Sequence, residues 1–454
     1  MNTKLTTSIA ILAIAIVAGI LMLAERPGDE TTSSVIVQAG SFEKALEAVR
    51  SAGGEITHEL AIIRAVGANL TPAQVERLRA TNGLRIHDNQ GVEIAKKPPK
   101  TPDLGTVYPT LVGAQLLHAE GITGLDVTVA VLDTGWDNFG AVSLDTAGEW
   151  RVLESYDAIQ DVIVDLPWRG PVFYPPSWGE NDSNGHASHV SSILLSSGNT
   201  DFDAPEDGLY NGIAPDANLV VVKAFDRSGQ GTYADVVRAI GWVVQNQPNF
   251  DIRVLNCSFS APPRSHYWED PLNQAIMAAW QAGIVVVASA GNTGPDPMTI
   301  GVPGNVPYVI TVGAMSDNYT PTDPTDDDLG SFSSVGPTYE GFIKPDFVAP
   351  GGHMIGLIPY NSYLQVEHPD FYDADQRFTM SGTSQAAAVV SGAAALMLDA
   401  DPTLTPDDVK CRLLATARPA TDGSDAIAYS VFQQGAGMIN AYDAVHSTAS
   451  GCAN

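Results

Sequence analysis

The sequence predicts an α/β protein: a doubly wound, mostly parallel sheet with helices on both faces, preceded by a small α+β unit. Three observations carry this. Beyond about Val107, continuous apolar runs alternate with helix-like segments. Before it, residues 34–95 hold a self-contained pattern of strands and two helices. Between them, "KKPPKTPDLG" breaks every periodicity with lysines and prolines, as an exposed linker does.

Taken in order, residues 1–30 place Lys4 ahead of an apolar stretch from Ile9 to Leu23, closed by Glu25 and Arg26. That is the pattern of a signal peptide or a short signal-anchor. It marks the rest of the chain as exported, to the cell envelope or beyond, with a membrane anchor at this end as the alternative to cleavage. In residues 34–95, "SVIVQAG" reads as a strand and "SFEKALEAVRSAGG" as a helix stopped by glycine. "EITHELAIIRAVGANL" follows as a strand pair, "TPAQVERLRATNG" as a Thr-capped helix, and "LRIHDNQGVEIA" as a last strand pair. Residues 96–107 form the linker. From 108 to 447, strands are expected at "VTVAVLDTG", "ANLVVVKAFD", "IRVLNCSFS", "GIVVVASAGN" and "YVITVGAM", and helices at "YADVVRAIGWVVQ", "DPLNQAIMAAWQAG" and "SQAAAVVSGAAALML". Fully apolar strands separated by helices mean a parallel sheet covered on both faces. Residues 448–454 are a C-terminal tail.

The formal net charge of −29 repels nucleic acid and anionic lipid, which excludes both as partners. With three cysteines, at most one internal disulfide is possible. A Cys411–Cys452 bridge would pin the C-terminus, whereas Cys257 sits in an apolar run and reads as an inert buried thiol. The acidic run from Thr320 to Gly330 is a surface loop; its oxygens suit calcium, but its spacing matches no defined calcium loop.

Chemistry in such sheets sits at the carboxyl ends of strands, and Asp133 ends one of them. An aspartic protease would need a second carboxylate sharing a proton, and no second Asp-Thr-Gly or Asp-Ser-Gly follows an apolar strand. A serine mechanism needs a histidine and a nucleophile. "SNGHASHVSSILL" places His186 and His189 at a helix start, and "MSGTSQAAAVVSGAAALML" places Ser384 at the first turn of another. There the free N–H groups and the positive end of the helix dipole stabilise a developing oxyanion. "ASAGNTG" ends a strand on Asn292, whose amide can donate a second hydrogen bond. The pair His186 and His189 lacks the intervening Glu and a third ligand that a zinc protease needs, so His189 is read as structural.

The order Asp133, His186, Ser384, within "VAVLDTG", "NGHASHV", "GIAPDANLVVVKAFD", "SAGN", "SFSSVGPT", "KPDFVAPG" and "SGTSQAAAVVSG", resembles the subtilisin-like serine proteases over about residues 107–447. Residues 34–95, with "AGGEITHEL", resemble the family's ferredoxin-like propeptide, which acts as folding chaperone and intramolecular inhibitor. The resemblance implies a monomeric serine endopeptidase made as a zymogen, with polypeptide substrates. It implies that Ser384 is the nucleophile, His186 the general base and Asp133 its orienting carboxylate, with Asn292 and the Ser384 N–H as the oxyanion hole. It implies two substrate edges, Ser258-Phe259-Ser260 and Gly229-Gln230-Gly231, with Ala288, Ser289, Ala290 and Gly291 alongside. Gly301 falls at the far wall of the pocket for the residue on the acyl side of the cut bond, which suggests room for a medium or large apolar side chain. No cofactor is implied for catalysis; structural calcium is implied, with no ligand assigned. Processing is expected between Ala95 and Val107.

The chain departs from the family pattern at Ala187 and Ser188, at Ser260 and Ala261, which narrow the pocket rim, and at Gln385, Ala388 and Val389. None removes a catalytic group. Two rival readings are a catalytically silent peptide-binding protein and an α/β-hydrolase esterase. The intact set of reactive residues argues against the first. The missing Gly-x-Ser-x-Gly elbow and the order of the three residues argue against the second.

Overall fold

A computed structural model describes residues 32–94, 107–166, 182–198, 210–318, 326–421 and 426–453. The N-terminal segment 1–30, nearly all of the 96–107 linker with its processing site, and half of the acidic run at 320–330 lie outside the described residues.

The small unit runs β1 (Ser33–Gln38), α1 (Phe42–Ala52), β2 (Glu55–Leu60), β3 (Ala65–Leu70), α2 (Pro72–Arg79) and β4 (Arg85–Asp88). Its antiparallel sheet has the order β2-β3-β1-β4, the ferredoxin-like arrangement. Local chemistry sets the helix ends. Ser41 caps α1, whose stop is Gly53 in the left-handed region at φ 75°. Thr71 and Gln74 form a reciprocal capping box on α2. Val35, Val37, Ala45, Val49, Val66 and Leu70 make its own core.

"LRIHDNQGVEIA" does not fold as a strand pair. β4 stays in the small sheet, while β5 (Gly91–Ile94) leaves it and lies antiparallel between β10 (Gln230–Thr232) and β12 (Phe259–Ser260) of the following domain. The reason is burial: Val92 and Ile94 are 0% and 5% exposed against the second domain, where a hairpin on β4 would bury neither. The intervening Asn89 and Gln90 accept the Ala234 and Tyr233 amides, the first N–H groups of a long helix, α4 (Tyr233–Phe250).

The large domain is built on a nine-stranded sheet, order β15-β14-β13-β11-β6-β9-β7-β8, with β16 beside β14. Here β6 is Thr128–Asp133, β7 Val152–Asp157, β8 Val162–Ile163, β9 Asn218–Lys223, β11 Ile252–Cys257, β13 Val285–Ser289, β14 Ile310–Ser316, β15 Asp328–Leu329 and β16 Phe347–Pro350. All neighbouring pairs are parallel except β7–β8 and β14–β15. Strand alternation divides the core in two. Val129 and Val131 of β6 face one cluster with α3 (His186–Leu195) and α6 (Thr383–Ala400), while Ala130 and Leu132 face the other with α4 and α5 (Pro271–Gln281). Each fully buried Val or Leu contributes about 1.5–3 kcal/mol. Helix α6 is buried on all sides from Thr383 to Leu398, which is why its sequence is alanine-rich and apolar all round.

Cys411, in α7 (Pro406–Thr416), and Cys452 form a disulfide, so the last residues are tied to the domain rather than trailing from it. Cys257 is a buried free thiol, and burial raises its pKa far above the usual thiol range. Among the described residues, no helix is long and apolar enough to cross a membrane.

Candidate active site

Three segments distant in sequence meet at the carboxyl edge of the parallel sheet. Asp133 is the last residue of β6, His186 the first of α3, and Ser384 the second of α6. All three are buried, at 1%, 0% and 0% exposed. His186 Nδ1 lies 2.8 and 2.9 Å from the two Asp133 carboxylate oxygens, so the carboxylate holds the proton on Nδ1 and leaves Nε2 as the basic nitrogen. Among the described residues, His186 Nε2 has no hydrogen-bond partner. The Ser384 hydroxyl donates to the Ser258 carbonyl at 3.0 Å.

Backbone conformation presents these groups. Gly185 caps α3 at φ 100°, and a side chain there would collide with Ser362. Asp182 joins strand end to helix start. It accepts from the Thr134 hydroxyl at 2.7 Å and from the Gly185 and Ser188 amides at 2.9 and 2.8 Å. The Thr134 oxygen in turn accepts the Ala187 amide. Sequence reasoning does not single out Asp182, although an Asp three residues before a helix-opening glycine is the kind of signal that could have found it. Nearby Asp137 is pushed up to about 6, first by burial and further by the Asp182 charge.

The Asn292 side chain is equally fixed. Asn292 Oδ1 accepts from the Thr383 amide and hydroxyl at 3.0 and 2.9 Å, which turns Nδ2 away from that residue, and among the described residues Nδ2 has no partner. Ser384 lies in the first turn of α6, where backbone N–H groups find no acceptor within their own helix. Ser258 is positioned by a polar chain through the sheet: Ser391 donates to Asn256, Asn256 to the Ser258 hydroxyl, and that hydroxyl to the Ser384 carbonyl.

His189 is held between three elements. Nε2 is 2.9 Å from the Phe378 carbonyl and Nδ1 is 3.3 Å from the Gln385 amide nitrogen, so the ring is neutral, donating at one end and accepting at the other. Burial pushes its pKa down to about 3, with the neighbouring His186 adding to the shift.

The cleft edges hold residues 91–94 of the same chain. Val92 pairs with Gly231 and Glu93 with Gln230 on one side, Glu93 with Ser260 and Ile94 with Phe259 on the other. The Gly229 carbonyl accepts the Ile94 amide at 3.3 Å. Phe259 offers only its backbone here, because its ring packs in the core against Phe225 at 5.2 Å between centroids. Ala288 likewise faces the core, and the Ser289 hydroxyl is spent on the Phe259 carbonyl at 3.0 Å. Ala290 accepts the Gly301 amide at 3.1 Å. Gly291 has φ 107°, and a side chain on it would meet the Ser334 hydroxyl. At Gly301, where the sequence suggests room, a Cβ would run into the Ser260 hydroxyl.

Residues 124–437 match the sequence profile of the subtilase family. The chain belongs to that family. This subtilase is 39% identical over 333 residues to serine protease AprX of Bacillus subtilis (strain 168), covering 72% of this chain and 68% of that one. It is 32% identical over 332 residues to subtilisin DY of Bacillus licheniformis, covering 73% and 94%. Its fold superposes on fervidolysin from Fervidobacterium pennivorans, a keratinolytic enzyme related to subtilisin, with a TM-score of 0.69 at 20% identity. That match takes in 93% of this chain and 62% of fervidolysin. As a subtilase the protein is a serine endopeptidase, a hydrolase of peptide bonds.

Among the described residues no three acidic, histidine or cysteine side chains gather as a metal site. Calcium therefore stays an expectation of the resemblance.

Proposed function

We propose that the protein is exported as a zymogen, that residues 34–95 are its intramolecular inhibitor, and that Ser384, His186 and Asp133 act as nucleophile, general base and orienting carboxylate. The observation that carries the mechanism is a pair of buried nitrogens, His186 Nε2 and Asn292 Nδ2, that have no hydrogen-bond partner among the described residues. Burying such groups without partners is costly, and each becomes satisfied when a peptide reacts.

The steps follow from the atoms. With the Nδ1 proton held by Asp133, His186 Nε2 takes the Ser384 proton as Oγ turns from the Ser258 carbonyl and attacks the substrate carbonyl carbon. The developing oxyanion receives hydrogen bonds from Asn292 Nδ2 and the Ser384 N–H. His186 then gives its proton to the leaving amine. Water repeats the sequence on the acyl-enzyme, releasing the acid and restoring Ser384.

The zymogen reading is supported by β5, which lies where an extended substrate would add a strand between two edges. Export rests on the apolar N-terminal segment alone. The test is expression of residues 31–454 as wild type and as Ser384→Ala. Wild type should shed a fragment of propeptide size and react with a fluorophosphonate probe, and Ser384→Ala should do neither. A folded wild type that neither cleaves nor labels would make the cleft a binding surface and defeat the proposal.

A further inference from the structure

The pocket that receives the residue on the acyl side of the cut bond can be located from the contacts around Ser384. The nucleophile bonds the Ser258 carbonyl, and Asn292 lies across from it, so the reacting carbonyl sits between these two segments. The side chain of that residue must enter the slot between the 258–261 strand and the 289–292 strand end. The slot is closed behind by residues 301–302, through the Gly301 amide to Ala290 and the paired backbones of Ala261 and Val302.

Gly291 in one wall and Gly301 at the back carry no side chain, which alone would leave the slot roomy. The Ser260 side chain fills the gap. A Cβ on Gly291 would lie 3.1 Å from the Ser260 hydroxyl, and one on Gly301 would clash with the same atom. The serine is therefore wedged between both walls.

A second observation is independent of the pocket. β5 runs antiparallel to β12 with Glu93 opposite Ser260 and Ile94 opposite Phe259, the residue next to Ser258, the partner of the nucleophile. The next residue in the sequence is Ala95, one of the smallest side chains. It is preceded by an alternation of buried Val92, outward Glu93 and buried Ile94.

Resting on the protease reading above, we propose that Ser260 restricts the acyl-side pocket to small residues. The favoured substrate segment is apolar-x-apolar-small, and the chain's own first substrate bond is Ala95–Lys96.

The test uses the full chain from residue 31. Mass spectrometry of the matured enzyme should place its N-terminus at Lys96. Against peptides of sequence Val-Glu-Ile-X ahead of a chromogenic amide, kcat/KM should favour X = Ala over X = Phe by at least about tenfold. In Ser260→Gly the ratio should move toward Phe by at least about tenfold. Ala95→Phe should slow maturation of the wild type and much less that of Ser260→Gly. A wild type that prefers Phe, or matures at another bond, overturns this proposal and leaves the protease reading intact. If Ser260→Gly does not fold, the wild-type ratio alone decides. An enzyme inert to the fluorophosphonate probe and to both peptides overturns both.

Discussion

Asn292 and Thr383 are joined twice: one carboxamide oxygen accepts both the Thr383 amide at 3.0 Å and its hydroxyl at 2.9 Å. A single hydrogen bond would let the carboxamide swing; two fix its plane, and in the proposed mechanism Nδ2 is the donor to the developing oxyanion. Replacement by Asn292→Leu should lower kcat by about 10²–10³ with little change in KM, which is the general cost of losing one oxyanion donor, a subtilisin asparagine being the standard example. Steady-state kinetics on one peptide substrate checks it.

Thr383 acts through Asn292 and does not itself reach the reacting atoms. Thr383→Val keeps the amide contact and loses the hydroxyl, so kcat should fall by about 10- to 100-fold at nearly constant KM. Thr383→Ser should recover most of the loss. A merely structural effect would appear as lower stability without this split between kcat and KM.

His189 makes the fold sensitive to acid. Its native pKa of about 3 lies below the ordinary histidine value of 6.5 because the buried ring resists charging. Between those values the unfolded chain binds the proton and the native protein does not, so stability falls as pH drops from 6.5 toward 3. Urea midpoints of the Ser384→Ala protein at about pH 7 and about pH 4.5 should differ more than those of the same protein carrying His189→Gln.

Lys344 acts at the other end of the scale. Its ammonium, 2.6 Å from Asp346, is pushed down to about 7, chiefly by burial, with Lys410 adding repulsion and Asp346 offsetting part of the shift. The unfolded lysine keeps its proton up to the ordinary value of 10.5. Folding therefore releases a proton in this window, and stability should rise from about pH 7 to about pH 10. Lys344→Met should flatten that rise in thermal melts, while Asp346 keeps Lys410 as a partner at 3.3 Å.

The Cys411–Cys452 disulfide closes a loop with a sequence separation of 41. Loop-closure entropy puts its contribution at about 4 kcal/mol. Cys452→Ser should lower the urea midpoint accordingly, and reducing agent should lower that of the parent protein by the same amount while leaving the variant unchanged.

Five strands of the parallel sheet are legible because strands buried on both faces are mostly apolar: β6, β9 and β13 carry unbroken apolar runs, and β11 and β14 are rich in aliphatic residues despite Arg253, Asn256 and Thr311. β7 does not stand out, since Glu154 and Ser155 interrupt its apolar pattern. Phe347–Pro350 reads as a motif and not as a strand, because prolines flank and end it. At the site, Asp133 ends β6, His186 opens α3, Ser384 lies in the first turn of α6 and Asn292 follows closely on β13, places that turn residues mark locally. Asp182 and Thr383 do not, because their roles consist of hydrogen bonds to segments 48 and 91 residues away.

The sequence by itself determined the order of the two folded units, the two-sided sheet and the residues that mark its strand ends and helix starts, Asp133, His186 and Ser384 among them. These follow from residue periodicity, helix-end chemistry and chain order, all properties of short stretches. Only the tertiary structure decided where β5 pairs, which atoms are left unpartnered and how much room the acyl-side pocket has. Gly301 promises a wide pocket as long as it is read alone. The Ser260 hydroxyl, far earlier in the chain, lies where a Cβ on Gly301 would stand, and such a contact exists only once two segments have been brought side by side.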